Sequence, residues 1–159
     1  MNLIISKTRE KLEGVTELIE NVAEFQQIKK NKQFLFDWTK EQKNQVFKIR
    51  LEEQEEILGL ISIIDFPTEL RIHINLIEVA KSHRGKNKPI LNIVGCLIAF
   101  TCKQAFRQKY DGFVSLVPKT QLIDYYQNSY GFILMGTQMA VYGETASSLI
   151  QKYIGDEEI

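Results

Sequence analysis

The chain has 159 residues, 44% of them hydrophobic, which is enough to form one domain around a single core, so we expect one domain over residues 1–159. Lysine and arginine together number 20, as do aspartate and glutamate, so the formal net charge is zero and no overall field attracts nucleic acid or an anionic membrane. The longest apolar stretch, residues 89–100, is too short to span a membrane, and the N-terminus does not resemble a signal peptide. We therefore expect a cytoplasmic protein.

The first forty residues predict a strand, a helix and an aromatic patch. Residues 2–6 favour a short strand, and apolar residues at near-helical spacing predict a helix over residues 15–28. A basic loop, residues 29–33, precedes the patch formed by residues 34–38, in which we expect Trp38 to be buried. We expect this helix, the aromatic patch and the last hairpin to build an acceptor pocket.

Three strands follow. Residues 46–51 and 57–66 predict a hairpin, and residues 71–79 predict a strand with both faces covered, as in the centre of a sheet. Strict alternation places four residues of this strand on one face and Glu78 on the other, unless a bulge reverses the face of Glu78. The four are His73, Asn75, Ile77 and Val79.

A basic loop precedes the most apolar helix of the chain, predicted over residues 90–106. Lys81, Arg84, Lys86 and Lys88 carry four positive charges just before a helix start, where unpaired N–H groups and the helix dipole attract an anion. The alternative is an exposed loop that only solvates its charges. Cys96 and Cys102, six positions apart in this helix, are predicted to be unpaired buried thiols.

The remainder predicts a strand at residues 113–117, a helix at 120–129, a hairpin of residues 132–135 and 138–142, and a helix at 145–154. Residues 156–158 are expected to fray.

This order of elements, together with two motifs, resembles the GNAT superfamily of acetyl-coenzyme A dependent N-acetyltransferases over residues 46–142. Ile77, Val79, Arg84 and Gly85 are similar to the family's strand and pyrophosphate loop. Residues 125–132, YYQNSYGF, are similar to a helix ending in Tyr-x-x-x-Gly-Phe, with one extra residue. The resemblance implies an α/β (α+β) fold: a mixed, mostly antiparallel central sheet flanked by helices, with a splayed central parallel strand pair.

The resemblance also implies a coenzyme A site with a divergent loop. The family's two small loop residues fall on Asn87, which tolerates a left-handed backbone, and on Pro89, which has no N–H for a phosphate but suits the first helical position. Weaker or altered pyrophosphate binding is therefore expected. The implied cofactor-binding residues are Ile77, Val79, Arg84, Gly85, Lys86, Asn87, Lys88 and Tyr125.

The implied reaction is direct attack of an amine on the acetyl thioester, with no metal. The resemblance places a carbonyl donor at the backbone N–H near Val79 and the general acid at Tyr126, or at Tyr125 if the extra residue lies earlier in the helix. His73 is the candidate base because it titrates near neutrality, and His83 is expected to contact solvent or phosphate. Tyr126 and its neighbours also fit plain helix packing, and His73 also fits a structural role.

Three readings of the function remain. The first is acetyl transfer to a small-molecule or protein amine; the second is a catalytically inactive GNAT-fold binding or regulatory module. The third is nucleic-acid binding through Lys29, Lys30, Lys32 and the basic loop of residues 81–88. The balanced net charge of the chain disfavours it. The final hairpin and the C-terminal helix also offer edges for a homodimer.

Overall fold

The computed structural model describes residues 1–155, in which nine strands form one sheet with helices on both faces. The strands are β1 (Asn2–Ile5), β2 (Lys11–Leu18), β3 (Gln45–Leu51), β4 (Gly59–Phe66), β5 (Arg71–Val79), β6 (Ile90–Leu91), β7 (Val114–Leu116), β8 (Ile133–Met135) and β9 (Gln138–Val141). The helices are α1 (Val22–Asn31), α2 (Ile93–Arg107), α3 (Ile123–Tyr130) and α4 (Gly143–Tyr153). The predicted frayed end, residues 156–158, lies outside the described residues.

The sheet has the order β6-β1-β2-β3-β4-β5-β7-β9-β8, and β5 with β7 is its parallel pair. Only three residue pairs join these two strands, from Ile72 with Val114 to Ile74 with Leu116. β5 then continues to Val79, so the two strands splay beyond Ile74. The predicted α+β fold, with a mostly antiparallel sheet and a splayed parallel pair, is confirmed.

Two apolar clusters cover the two faces of the sheet. α2 and α4 pack on one face, where the Tyr153 ring lies so close to Gly95 that a Cβ at residue 95 would overlap it. α1 and Trp38 pack on the other face, and Trp38 is 1% exposed, as predicted. Cys96 and Cys102 are buried and unpaired, also as predicted. No helix within residues 1–155 is long and apolar enough to cross a membrane.

The predicted helix over residues 15–28 is wrong in its first half. Residues up to Leu18 belong to β2, which pairs with both β1 and β3. α1 begins only at Val22, after the N-cap Asn21, whose side-chain oxygen accepts from the Glu24 N–H at 2.8 Å. The spacing of Val15 and Leu18 is helical, but pairing with two neighbouring strands overrides this local preference.

A β-bulge overturns the predicted faces of β5. Ser62 of β4 pairs with Leu76, but the next residue, Ile63, pairs with Ile74, so Asn75 is an extra residue in the ladder. Beyond Asn75 the side chains therefore change faces. Ile77 and Val79 pack in the α2 cluster, as Ile72 and Ile74 do, whereas Leu76 packs in the α1 cluster. His73 and Val79 do not share a face.

The predicted start of α2 is also corrected. Ile90 and Leu91 form β6, which pairs with Ile5 and Ile4 of β1, and the helix begins only at Ile93. The Pro89 carbonyl accepts from the Ser6 N–H at 2.9 Å, so Pro89 anchors an extended segment and does not occupy the first helical position.

Candidate active site

Two clefts lie along the edge of β5 that faces α3. The first, the loop cleft, has a volume of about 450 Å³ and lies between the start of α2 and α3; its lining includes Val79, Lys88, Asn92, Val94, Tyr125 and Lys152. The second, the splay cleft, has a volume of about 170 Å³ and lies between β5 and β7; its lining includes Phe36, Asn75, Ile77, Val117, Lys119 and Tyr126. Consecutive tyrosines of α3 therefore line different clefts.

The loop cleft contains the start of α2. The first helical hydrogen bond runs from the Cys96 N–H to the Asn92 carbonyl, so the preceding N–H groups, among them those of Ile93 and Val94, have no acceptor within the helix. Lys88 and Lys152 add two positive charges to the lining. Together these groups form a site suited to a phosphate or another anion.

The basic loop itself differs from its prediction. Arg84 donates from Nε to the Val79 carbonyl at 2.7 Å and from its terminal nitrogen to Glu78 at 2.6 Å, so its guanidinium is committed to β5. Lys86 and Asn87 are exposed and line neither cleft. The left-handed backbone predicted at Asn87 occurs instead at Gly85 and Asn92, with φ of 84° and 76°.

Glu78 organises the segment between α1 and β3. It is 7% exposed, and its carboxylate accepts from the N–H groups of Leu35 at 2.6 Å and Phe36 at 3.3 Å and from the Trp38 indole at 2.9 Å, besides Arg84. These bonds fix the backbone that presents Phe36 to the splay cleft. The sequence analysis missed this role, although an acid within an apolar strand is a signal for it.

The splay leaves backbone donors of β5 without a strand partner. The Ala80 N–H donates to the Leu58 carbonyl at 2.9 Å, and antiparallel alternation then directs the N–H groups of Ile77 and Val79 away from β4. Since β7 pairs only as far as Ile74, these two N–H groups face the gap between the strands.

Tyr126 lies at the inner wall of the splay cleft. It is 8% exposed, and within residues 1–155 its hydroxyl has no hydrogen-bond partner. Burial raises its pKa, and Tyr125 adds to the effect. The Tyr125 hydroxyl lies 2.9 Å from that of Tyr130. The position four residues before Gly131, where the family motif has its tyrosine, is Gln127, which is exposed.

The two histidines differ in position: His83 belongs to the lining of the loop cleft, and His73 does not. His73 Nδ1 is 2.8 Å from the Ser115 hydroxyl and 3.1 Å from Arg71, and His73 lines neither cleft. Desolvation lowers its pKa, and Arg71 lowers it further. His83 is buried, with Nε2 3.2 Å from Glu56, so it has little contact with solvent. It lines the loop cleft, and its expected contact with phosphate stays a prediction.

Glu41 is a second acid that the sequence analysis missed. Its Oε1 accepts from the side-chain amide of Asn75 at 2.7 Å and from that of Asn44 at 3.3 Å, which places the carboxylate behind the bulge residue in the splay cleft. Its sequence position, in a polar stretch, gives no signal of this contact. In the part of the chain that the structure describes, no group of three or more His, Cys, Asp or Glu side chains is arranged to hold a metal ion.

No family model and no curated protein matches the chain. Several solved structures of acetyltransferases are similar to the chain in fold. A chimera of the spermidine N-acetyltransferase SpeG from Vibrio cholerae and hSSAT is 12% identical with a TM-score of 0.60, over 86% of this chain and 98% of that chain. A putative acetyltransferase from Exiguobacterium sp. 255-15 is 14% identical with a TM-score of 0.57, over 86% and 97%. The IAA acetyltransferase from Bacillus cereus ATCC 14579 is 13% identical with a TM-score of 0.54, over 82% and 99%. At these identities the likeness concerns the fold, and the chain has the GNAT fold.

Proposed function

We propose that the protein is an acyltransferase that moves an acetyl group from acetyl-coenzyme A to an amine. The observation that carries this proposal is the splay between β5 and β7. It opens on one side to the basic start of α2 and holds on the other the Tyr126 hydroxyl, which has no hydrogen-bond partner among residues 1–155. An extended substrate with a phosphate at one end and a thioester at the other fits such a path.

The loop cleft is the proposed coenzyme A site. The N–H groups of Ile93 and Val94, with Lys88 and Lys152, would bind the pyrophosphate, and Tyr125 would contact the same ligand from α3. Arg84 and Gly85 contribute by shaping the loop rather than by direct contact. Lys86 and Asn87 lie outside the cleft, so we assign Lys86 at most a long-range electrostatic contribution and the neutral Asn87 no direct one.

The proposed chemistry takes place in the splay cleft. The N–H groups of Ile77 and Val79 would stabilise the negative charge that develops on the thioester oxygen. As the new bond from the amine nitrogen to the acetyl carbon forms and the carbon–sulfur bond breaks, Tyr126 would give its proton to the departing sulfur. Its raised pKa keeps that proton in place until it is needed.

The amine must also lose a proton, and His73 is poorly placed to take it. His73 lies four positions before Ile77 in the strand, which is at most about 13 Å at the usual rise. Glu41 is bonded to Asn75, which lines the cleft, so we propose that water carries the proton towards this carboxylate.

Two measurements on the full chain test the proposal. Titration calorimetry with acetyl-coenzyme A should detect binding, and a panel of primary amines should release free thiol together with an acetylated product identified by mass. Failure to bind acetyl-coenzyme A at millimolar concentration would overturn the proposal.

The second candidate is a GNAT-fold binding or regulatory module without catalysis. The exposed Gln127 at the motif position of the family tyrosine favours it. Binding of coenzyme A without turnover of any amine would support this module. A homodimer stays a prediction: the edge strand β8 exposes Ile133, Leu134 and Met135, and sedimentation analysis would detect the dimer.

A further inference from the structure

We propose that the acceptor is a small amine with an apolar body and an anionic group, such as an aromatic amino acid, and not a polyamine. This inference rests on the proposed acetyl transfer and names the substrate class of the same site. Its basis is the chemistry of the splay cleft, which combines an apolar wall with a single positive charge.

The apolar wall lies on both sides of the cleft. Phe36 and Val117 are 45% and 61% exposed, although large apolar side chains of this kind usually lie inside a protein. Leu76, Pro118 and Leu122 continue the same lining. Because Glu78 fixes the backbone of Phe36, the ring is presented to the cleft by a rigid segment and does not depend on a mobile loop. Such a wall favours an aliphatic or aromatic ligand body.

The charge of the cleft has one sign. Among the described residues that line it, Lys119 is the one charged side chain, and neither Asp nor Glu contributes to the lining. The Lys119 Nζ lies 5.7 Å from the centre of the Phe36 ring, so the cation stands directly beside the apolar wall. A ligand that places a carboxylate there gains an ion pair, and one that places a second ammonium there is repelled.

The size of the cleft limits the ligand. Its volume of about 170 Å³ is below the ~300 to 1,000 Å³ typical of sites for drug-sized molecules. An acceptor of amino-acid size fits better than a folded protein segment. The SpeG chimera, which this chain resembles in fold, is a spermidine N-acetyltransferase. Spermidine is a long polycation without an apolar body, and the Glu41 carboxylate, which accepts from Asn75, is not part of the lining that would meet its further ammonium groups.

The test compares three acceptors with the full-length protein and acetyl-coenzyme A. Phenylalanine and phenethylamine share one apolar body and differ in the carboxylate, and spermidine represents the polyamines. We expect kcat/KM for phenylalanine to exceed that for phenethylamine by about three- to tenfold, with spermidine the poorest of the three. Lys119→Gln should abolish the difference between the first two, and Lys119→Glu should reverse it. Lys11→Glu, an equal change of net charge at an exposed residue of β2, should preserve the wild-type order.

The outcomes separate the two proposals. A preference for spermidine, or equal rates for phenylalanine and phenethylamine, overturns the inference and leaves acetyl transfer intact. An unchanged order in Lys119→Glu overturns it as well. Turnover with none of the three also overturns it, and calorimetry with acetyl-coenzyme A on the same samples then tells whether the proposed function fails too.

Discussion

Arg84 donates to the Glu78 carboxylate at 2.6 Å, and the same carboxylate accepts from the backbone of residues 35 and 36. One buried acid therefore joins the basic loop after β5 to the segment that presents Phe36. The Glu78 carboxylate therefore holds backbone segments next to both clefts, although the two clefts are lined by different residues.

Replacing Glu78 by alanine should lower the free energy of unfolding by about 2 to 4 kcal/mol, because it leaves Arg84 and three N–H donors without their acceptor. Urea denaturation measures this change. Glu69→Ala is the control, since Glu69 is an exposed partner of Arg71 and should cost under about 1 kcal/mol. Equal losses in the two variants would contradict the assigned role.

Replacing Tyr126 by phenylalanine should lower kcat by roughly 10² to 10⁴ and leave the Kd for acetyl-coenzyme A unchanged, because only the proposed proton donor is removed. Stability should hardly change, since this hydroxyl has no partner within residues 1–155. Tyr125→Phe is the matched control: it breaks the bond to Tyr130 and should cost about 1 kcal/mol of stability with a smaller effect on kcat. An unchanged kcat in Tyr126→Phe would remove this residue from the mechanism.

Replacing Lys88 by alanine should weaken coenzyme A binding by about three- to tenfold, because Lys88 lines the loop cleft. Lys86→Ala should have less effect, since Lys86 is exposed and outside the cleft. Calorimetry at low and high salt measures both, and the difference between the variants should shrink as salt screens the charge. A larger loss of affinity in Lys86→Ala than in Lys88→Ala would indicate that the phosphate binds on the outer side of the loop.

Acidification should destabilise the protein through His73. The folded state holds the pKa of His73 below its unfolded value near 6.5, so the unfolded chain binds the proton first as the pH falls. The stability that His73 contributes is complete above about pH 6.5 and is lost as the pH falls towards the folded pKa. Urea midpoints at pH 7.5 and 5.5 should therefore differ more for the wild type than for His73→Gln. The acetyl-transfer rate at pH 7.5 should be the same in His73→Gln as in the wild type. A large fall in this rate would indicate that His73 is the base.

Cys96 and Cys102 should not react with the reagent that detects free thiol in the acetyl-transfer assay. Burial raises the pKa of Cys96 and of Cys102 to about 12, so neither thiolate is available at neutral pH. A thiol reagent should therefore find no reactive group in the folded protein and two in guanidinium. Rapid labelling of the folded protein would show that α2 opens.

Most of the fold could be predicted from the sequence because the strongest hydrophobic patterns each fit only one kind of secondary structure. The hairpin of β3 and β4, the central strand β5 and the apolar helix α2 were expected from their sequence patterns, and all are present. β2 was mistaken for a helix because Val15 and Leu18 lie three positions apart, a spacing typical of a helix. Asn21 and Glu24, which cap α1, mark the true start of the helix. Asn21 lies three positions after Leu18.

The candidate site was less predictable, since it depends on contacts between distant residues. No local signal marks the bulge at Asn75, which exchanges the faces of Val79 and Glu78. The extra strand β6 likewise arises from pairing with β1, and it moves the start of α2 beyond Pro89. Tyr126 and Lys88 line the clefts, and their roles stay predictions, whereas Glu41 reaches the bulge only through the tertiary fold.

The pairing of β1 with β6 also bears on the order of folding. Ile4 and Ile5, among the first residues of the chain, must find Leu91 and Ile90 before the segment leading into α2 is fixed. Contacts between such distant positions close large loops and form slowly. We therefore expect the anion-binding end of the molecule to mature late in folding, after the local β3–β4–β5 meander, and to be the first part to lose protection in hydrogen exchange.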